Sequence, residues 1–396
     1  PPIPIAGNDS IYIFMEVTVD PDAPLSESPF VIYEHLNFET NGNIQQVILE
    51  AFGQNANYIP SKDSKGTANL LTCDMGIETW NDPKPYVIYG VLFVDSCEIV
   101  IPAGTQIYVH GGLINAGGGA FYNDGIWFFG ADSKLNIQGT ISNPVTIQGD
   151  RLEEEYDDVP GQWAGIRLGT TNNTHEIRNV VIKNSIVGLR VDSLTTAVLE
   201  NVEIRNTANT GLLGVHANID AENCLFVDNG GNSVQLEFGG NYDLRHCTLA
   251  NFGSDQAALR TTNFACYGDD CEICLGNEMN ASLSNCIITG TRSDEVSLGD
   301  GECTSEALNV SFQNCILKVN ELLEKYPNFY TDNCLSSSCV TCDDNDALFL
   351  DYPDGDYHLD TLSCAKDRGI MIGILDDIEG TSRDGNPDLG CYESGF

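Results

Sequence analysis

The chain has 396 residues, of which 58 are acidic and 18 basic, for a formal net charge of −40. A surplus of this size argues against nucleic acid and anionic membrane surfaces as partners, because both are held by basic patches. Its apolar fraction of 42% still supports a large core, so the charge does not signal disorder, and no run of about twenty apolar residues exists to cross a bilayer.

The start at Pro1-Pro2-Ile3-Pro4 reads as an internal point of a longer or processed chain. Residues 10–19 alternate as a strand and meet a turn at 20–24. A second strand is expected at 29–38, and Asn41-Gly42-Asn43 turns it into a third at 44–52. Three strands joined by turns suggest part of an antiparallel β-sandwich over residues 1–58, too short to close by itself. Residues 59–85 are polar and irregular and read as a linker. The solenoid is expected from Tyr86 to the end, over 86–396, with turns at Gly111-Gly112 and Gly117-Gly118-Gly119.

The centre of the chain is a ladder. Asn179-Val180-Val181-Ile182, Asn201-Val202-Glu203-Ile204, Asn223-Cys224-Leu225-Phe226, His246-Cys247-Thr248-Leu249, Asn285-Cys286-Ile287-Ile288 and Asn314-Cys315-Ile316-Leu317 follow one another at steps of 22, 22, 23, 39 and 29 residues. Asn333-Cys334-Leu335 reads as an eroded last copy. A period in the low twenties, with short strands and no helical stretch, is the mark of a β-solenoid, in which stacked coils bury faces that one coil cannot. Asn at the head of each strand suits a left-handed corner, where stacked side chains can hydrogen-bond along the axis. The fold class is therefore all-β: a right-handed parallel β-helix preceded by a partial antiparallel sandwich. The longer steps are loops pushed out of a coil, the largest an insertion at 253–281.

Fifteen cysteines point to an oxidising compartment. Cys224, Cys247, Cys286 and Cys315 share one rung position and read as buried core thiols. Cys73 and Cys97 flank the start of the solenoid and are expected to bridge; Cys364 and Cys391, in what read as the closing coils, are expected to do the same. Cys266, Cys271 and Cys274, and again Cys334, Cys339 and Cys342, repeat C-x4-C-x2-C. That spacing suits an iron–sulfur loop or half of a zinc site, but loop disulfides are the expectation, because no fourth ligand is evident.

The stretch Asp158-Val159-Pro160-Gly161-Gln162-Trp163-Ala164-Gly165-Ile166 resembles a signature of a bacterial family of surface lipoproteins. Asp243-Leu244-Arg245-His246-Cys247-Thr248-Leu249-Ala250-Asn251 and Gly385-Asn386-Pro387-Asp388-Leu389-Gly390-Cys391 are similar to further parts of it. The resemblance implies an immunoglobulin-like sandwich followed by a β-helix of the pectin-lyase-like kind, on the outer-membrane surface, tied to the membrane only through a lipid anchor upstream of Pro1. Members of that family mostly have no assigned activity. Cys364 and Cys391 stand where the family has alanines, which supports an added bridge.

Catalysis has little local support. Polysaccharide hydrolases of this fold class need paired carboxylates on adjacent coils, and no coherent acidic column is found among the repeats. Glu153, Asp157 and Asp158, with Arg151 or Arg167, form the best candidate for a calcium-assisted lyase site; a solvated acidic loop is the favoured reading, and no cofactor is expected beyond that calcium candidate. The expected role is a non-catalytic binding or scaffold module for an outer-membrane or surface protein, or for a glycan. A polysaccharide lyase or hydrolase acting on an acidic glycan and a structural adhesin are the alternatives.

Overall fold

A computed structural model describes residues 10–18, 31–40, 42–52, 56–59, 68–73, 76–117, 120–268, 271–300, 303–335, 338–342 and 348–394. The turn expected at 20–24 and the one at Gly118-Gly119 lie outside the described residues. The chain divides into two compact units, residues 1–56 and 57–396.

In the first unit, β1 (Val31–Thr40) pairs antiparallel with β2 (Asn43–Phe52), turning at Gly42 with a φ of 81°. Residues 10–18, expected as a strand, are described outside any sheet. Their apolar side chains are exposed, with Tyr12 at 87% and Phe14 at 93%. The alternation is present in the sequence, but among the described residues no strand pairs with it.

The second unit is a right-handed parallel β-helix with three sheets: A stacks Val91–Asp95, Gly125–Phe129 and Ile166–Leu168, B stacks Glu98–Pro102 and Lys134–Gln138, and C stacks Gln106–Val109 and Val145–Gly149. Its first coil begins earlier than the sequence suggests. Asn57–Ile59, Asn69–Leu71 and Ile77–Thr79 pair in parallel with Tyr86–Ile88, Val91–Asp95 and Glu98–Pro102. Within the expected linker 59–85, Asn69–Leu71 and Ile77–Thr79 are thus strands of a coil; three-residue strands among polar stretches are too short to show a periodicity. Cys73 and Cys97 are joined by a disulfide across this coil.

Register is held by inward ladders. In sheet C, Ile107, Ile147, Ile182, Ile204, Phe226, Leu249, Ile288 and Leu317 stand one above another. Each is essentially inaccessible to solvent, and slipping any strand by one residue would turn it outward. The corner between sheets B and C repeats one conformation: Asn179, Asn201, Asn223, His246, Asn285 and Asn314 have φ between 49° and 55°, a region that Asn tolerates better than other side chains. Stacking along the axis occurs where the neighbour is free, as in Asn201 Nδ2 to Asn179 Oδ1 at 3.1 Å. Asn223 and Asn314 instead donate to the carbonyls of Asp376 and Arg368.

Those last contacts locate the C-terminal segment. It forms no closing coils. Residues 348–394 run as a strap over the outer face of sheet C, where Leu225, Val227, Ile287 and Ile316 lie buried beneath Phe349, Tyr357, Leu389 and Cys391. Strands apolar on both faces, such as Leu225–Val227, exist because this strap covers them. The far end of the solenoid is capped by two short helices, α1 (Asn320–Lys325) and α2 (Phe329–Asn333). Phe329 of α2 packs on Phe312 of the last rung, a cap of the kind that solenoids need. The sequence shows no helical periodicity here because neither helix exceeds six residues.

The expected insertion at 253–281 is narrower than the repeat spacing implies. Leu259–Thr262 stays in sheet A and Met279–Ser284 in sheet B, so only the hairpin Phe264–Tyr267 with Ile273–Gly276, and its links, leaves the coil.

Candidate functional site

The acidic loop does not assemble. Glu153 pairs with Arg151 at 2.8 Å, Asp157 with Lys183, and Asp158 accepts from Asn206 Nδ2 at 2.8 Å. Three carboxylates on three separate partners do not share the oxygen cage that calcium takes. Arg167 is engaged elsewhere, with Asp192.

Among the described residues, one group has metal-ligand character: Cys266, Cys271, Cys274 and Cys303, whose sulfurs lie within 4.8 Å of one another. Cys303, distant in sequence, is the fourth member that the C-x4-C-x2-C spacing could not reveal. The four are paired as Cys266–Cys271 and Cys274–Cys303, which leaves no thiolate to bind a metal. Cys334 pairs with Cys339, and Cys342 with Cys364. The bridge expected between Cys364 and Cys391 is therefore corrected. Cys391 is a buried free thiol because the strap lays it on Thr248, whose Oγ1 accepts from its amide at 3.1 Å. Cys224, Cys247, Cys286 and Cys315 are also buried and free. Burial pushes the Cys224 and Cys286 thiols up, away from reactivity.

The outer face of sheet B carries a different constellation. Alternation along each strand turns every second side chain outward, and parallel register stacks these into columns. One column reads Thr196, Asn218, Asn241, Asn280, Asn309. Its amides join head to tail: Asn241 donates to Asn218 at 2.8 Å, Asn280 to Asn241 at 3.3 Å, and Asn309 to Asn280 at 2.9 Å. The next column reads Asp220, Asp243, Ser282, Ser311. Together they floor an open groove of about 650 Å³, whose lining also includes Leu308, Asp332 and Asn333.

Asp220 and Asp243 are in register on neighbouring coils. Arg245 lies between them and Glu222, bonding Asp220, meeting Glu222 at 3.3 Å and Asp243 at 3.6 Å. Burial first, then Asp220 beside it, holds the Asp243 carboxyl above its ordinary range against the pull of Arg245. Glu222 is raised in the same way, by burial and then by Glu200 and Asp220. One neutralising cation among these carboxylates suits an acid–base pair. Two acidic pairs are thus in register, Asp220 with Asp243 and Glu200 with Glu222, although neither extends into a column. The signal was the spacing of 23 residues from Asp220 to Asp243 and 22 from Glu200 to Glu222, hidden because the carboxylates sit before the Asn corner rather than in the apolar run that marks the repeat.

Fold and cysteine pairing define an exported β-helix protein, tied by five disulfides, with an open groove on the polar outer face of sheet B. No family model and no curated protein matches the chain. Among solved structures it is similar to a mutant of a periplasmic alginate epimerase, at 10% identity over 68% of this chain and 78% of that one, with a TM-score of 0.27. A likeness of that size carries no argument about activity.

Proposed function

We propose that the protein is a surface-exposed glycan-binding module that holds a neutral sugar chain along the outer face of sheet B. The observation that carries this is the amide ladder Asn218, Asn241, Asn280, Asn309. Within the ladder each interior amide uses one N–H and one lone pair on its neighbours, leaving one donor and at least one acceptor for a ligand. Sugar hydroxyls both donate and accept, and the ladder repeats at ~4.8 Å. Asp220, Asp243 and Glu222 outnumber Arg245, so a neutral chain suits this groove better than an acidic one. The location on the outer-membrane surface, the lipid anchor upstream of Pro1 and a membrane-protein partner belong to the same proposal and rest on the sequence resemblance alone.

Titration calorimetry against neutral and uronate oligosaccharides tests the reading. The expected result is binding of a neutral oligosaccharide that weakens about tenfold or more when Asn241 and Asn280 are both changed to Ala, two hydrogen-bonding groups being worth ~1 kcal/mol each. Absence of neutral binding, or affinity indifferent to the double substitution, would overturn it.

A second reading is favoured by the Asp220–Asp243 pair: cleavage of the bound chain. In-register side chains on neighbouring strands stand ~4.8 Å apart at the backbone, close to the ~5–5.5 Å carboxyl separation of retaining glycosidases. Release of reducing ends that stops in Asp243→Asn while binding persists would establish it; binding without turnover would leave the module non-catalytic.

A further inference from the structure

The hairpin that leaves the coil carries chemistry of its own. Its strands, Phe264–Tyr267 and Ile273–Gly276, pair antiparallel, and the register sets Cys266 directly opposite Cys274. These two are not bonded to each other. Cys266 bridges to Cys271, which sits in a left-handed bend with a φ of 55°. Cys274 bridges to Cys303, from a separate stretch of chain beyond the strand Val296–Gly299. Cys303 is placed by more than its bridge. A Cβ at Gly276 would fall 1.9 Å from Thr304 Oγ1, so the residue after Cys303 packs on the strand that carries Cys274.

The result is four sulfurs that all lie within 4.8 Å of one another. Two separate disulfides do not require this. In the second C-x4-C-x2-C, Cys334 bridges Cys339 and Cys342 bridges Cys364, yet among the described residues those four form no such group. A tetrahedral Zn²⁺ with Zn–S of ~2.3 Å takes thiolates ~3.8 Å apart, so the hairpin cluster is near that geometry already. Sulfurs this close leave no room for the bridging sulfides of an iron–sulfur cluster. Cys266 and Cys303 are exposed, and Cys271 and Cys274 partly so. That opens a path for reductant and metal that the buried Cys334 and Cys339 lack.

We propose that Cys266, Cys271, Cys274 and Cys303 are a redox-gated Zn²⁺ site, of which the two disulfides are the oxidised form. Two molecules of a dithiol each give two electrons and two protons to one bridge and close to disulfides themselves, leaving four protein thiols. One Zn²⁺ then displaces the four protons and is held by four thiolates, soft ligands that favour it over Ca²⁺ or Mg²⁺. In either state the same four residues tie the hairpin to the segment at Cys303. The site shares no residue with the sheet B groove, so it stands or falls apart from the glycan reading.

The full chain is reduced without denaturant by tris(2-carboxyethyl)phosphine, freed of reductant without air, and titrated with Co²⁺ and then Zn²⁺. The expected result is one Co²⁺ per chain, with the visible bands and sulfur-to-metal charge transfer of a tetrahedral thiolate site, displaced by one Zn²⁺. The oxidised chain should give no such spectrum. Alkylation and peptide mapping locate the metal: Zn²⁺ should protect Cys266, Cys271, Cys274 and Cys303 and leave the labelling of Cys342 and Cys364 unchanged. Cys303→Ser, and Cys271→Ser as a second ligand variant, should weaken binding by more than the roughly tenfold that loss of an outer-shell partner costs. Cys339→Ser should bind as the parent does. Far-UV circular dichroism checks that the reduced chain and each variant are folded. A purely octahedral Co²⁺ spectrum, labelling indifferent to Zn²⁺, parental affinity in both ligand variants, or a reduced chain that neither keeps its strand signal nor regains it with Zn²⁺ would each overturn the assignment.

Discussion

Asn285 and His246 occupy the same left-handed corner on adjacent coils, and Asn285 Nδ2 lies 2.8 Å from His246 Nε2. The amide donates, so His246 Nε2 accepts and the ring proton sits on Nδ1, which faces the backbone carbonyls of Gly390 and Asp388. The ring is fully buried. Burial, and then the nearby Arg383, lower its pKa from 6.5 to about 3. A depressed folded-state pKa means that the unfolded chain takes up the proton first, so the contribution of His246 is whole above 6.5 and lost as pH falls toward 3. His175, lowered to about 4 by burial and then Lys134, acts in the same direction. Asn occupies this corner in the neighbouring coils, so His246→Asn should fold. Urea unfolding at about pH 7.5 and pH 4.5 should show the variant losing about 2 kcal/mol less than the parent on acidification. Equal losses would place the acid sensitivity elsewhere.

How much of this was legible depended on period. The Asn corner and the inward column from Ile182 to Leu317 repeat at close intervals, so fold class and register could be read directly. The coil at 57–79 could not, because its strands are three residues each. Of the site, the amide ladder was present as Asn218, Asn241, Asn280 and Asn309, but these polar positions stand out only once the inward residues fix the register. Cys391 misled for a physical reason. A cysteine near the C-terminus of a disulfide-rich chain suggests a bridge, yet here it packs as a small apolar side chain under a strap whose path is set by contacts with residues more than a hundred positions earlier.

Arg383 pins that strap. Its guanidinium is buried and donates to Asn223 Oδ1, to the Gly390 carbonyl and to Glu393, each at 3.0 Å. Arg383→Ala would leave the Glu393 carboxylate, 8% exposed, without its cation. Loss of about 3–5 kcal/mol is expected, together with faster proteolysis within 364–394. An unchanged denaturation midpoint would show that the apolar contacts of Tyr357 and Leu389 hold the strap unaided.

The disulfide map makes a paired prediction. Cys364→Ser breaks the bridge to Cys342, closed over 22 residues, and should destabilise the chain by roughly 2–4 kcal/mol. Cys391→Ala exchanges a free buried thiol for a methyl group and should cost about 1 kcal/mol or less. Peptide mapping after alkylation without reduction should find Cys391 labelled only in denaturant. A Cys364–Cys391 peptide would contradict the structure.

Glu295 gives a pH dependence of the opposite sign. It is fully buried, with Oε2 accepting from the Ala258 amide at 2.8 Å and Oε1 from the Arg292 amide at 2.6 Å. Burial raises its pKa from 4.5 to about 7, and the two amide bonds, Lys318 and Arg292 only partly oppose that. A raised folded-state pKa means that the native protein holds the proton longer than the unfolded chain does. The stabilisation is therefore whole below 4.5 and is lost as pH rises through about 7. Glu295→Gln cannot ionise, and its amide NH2 cannot accept from the second backbone N–H, so it should be the less stable protein in acid. The gap should narrow by on the order of 1–2 kcal/mol between about pH 5 and pH 8. Denaturation of both proteins across that range decides the matter. A gap that stays constant, or widens with pH, would mean that Glu295 is already ionised in the folded chain and that the amides of Ala258 and Arg292, with Lys318, outweigh its burial.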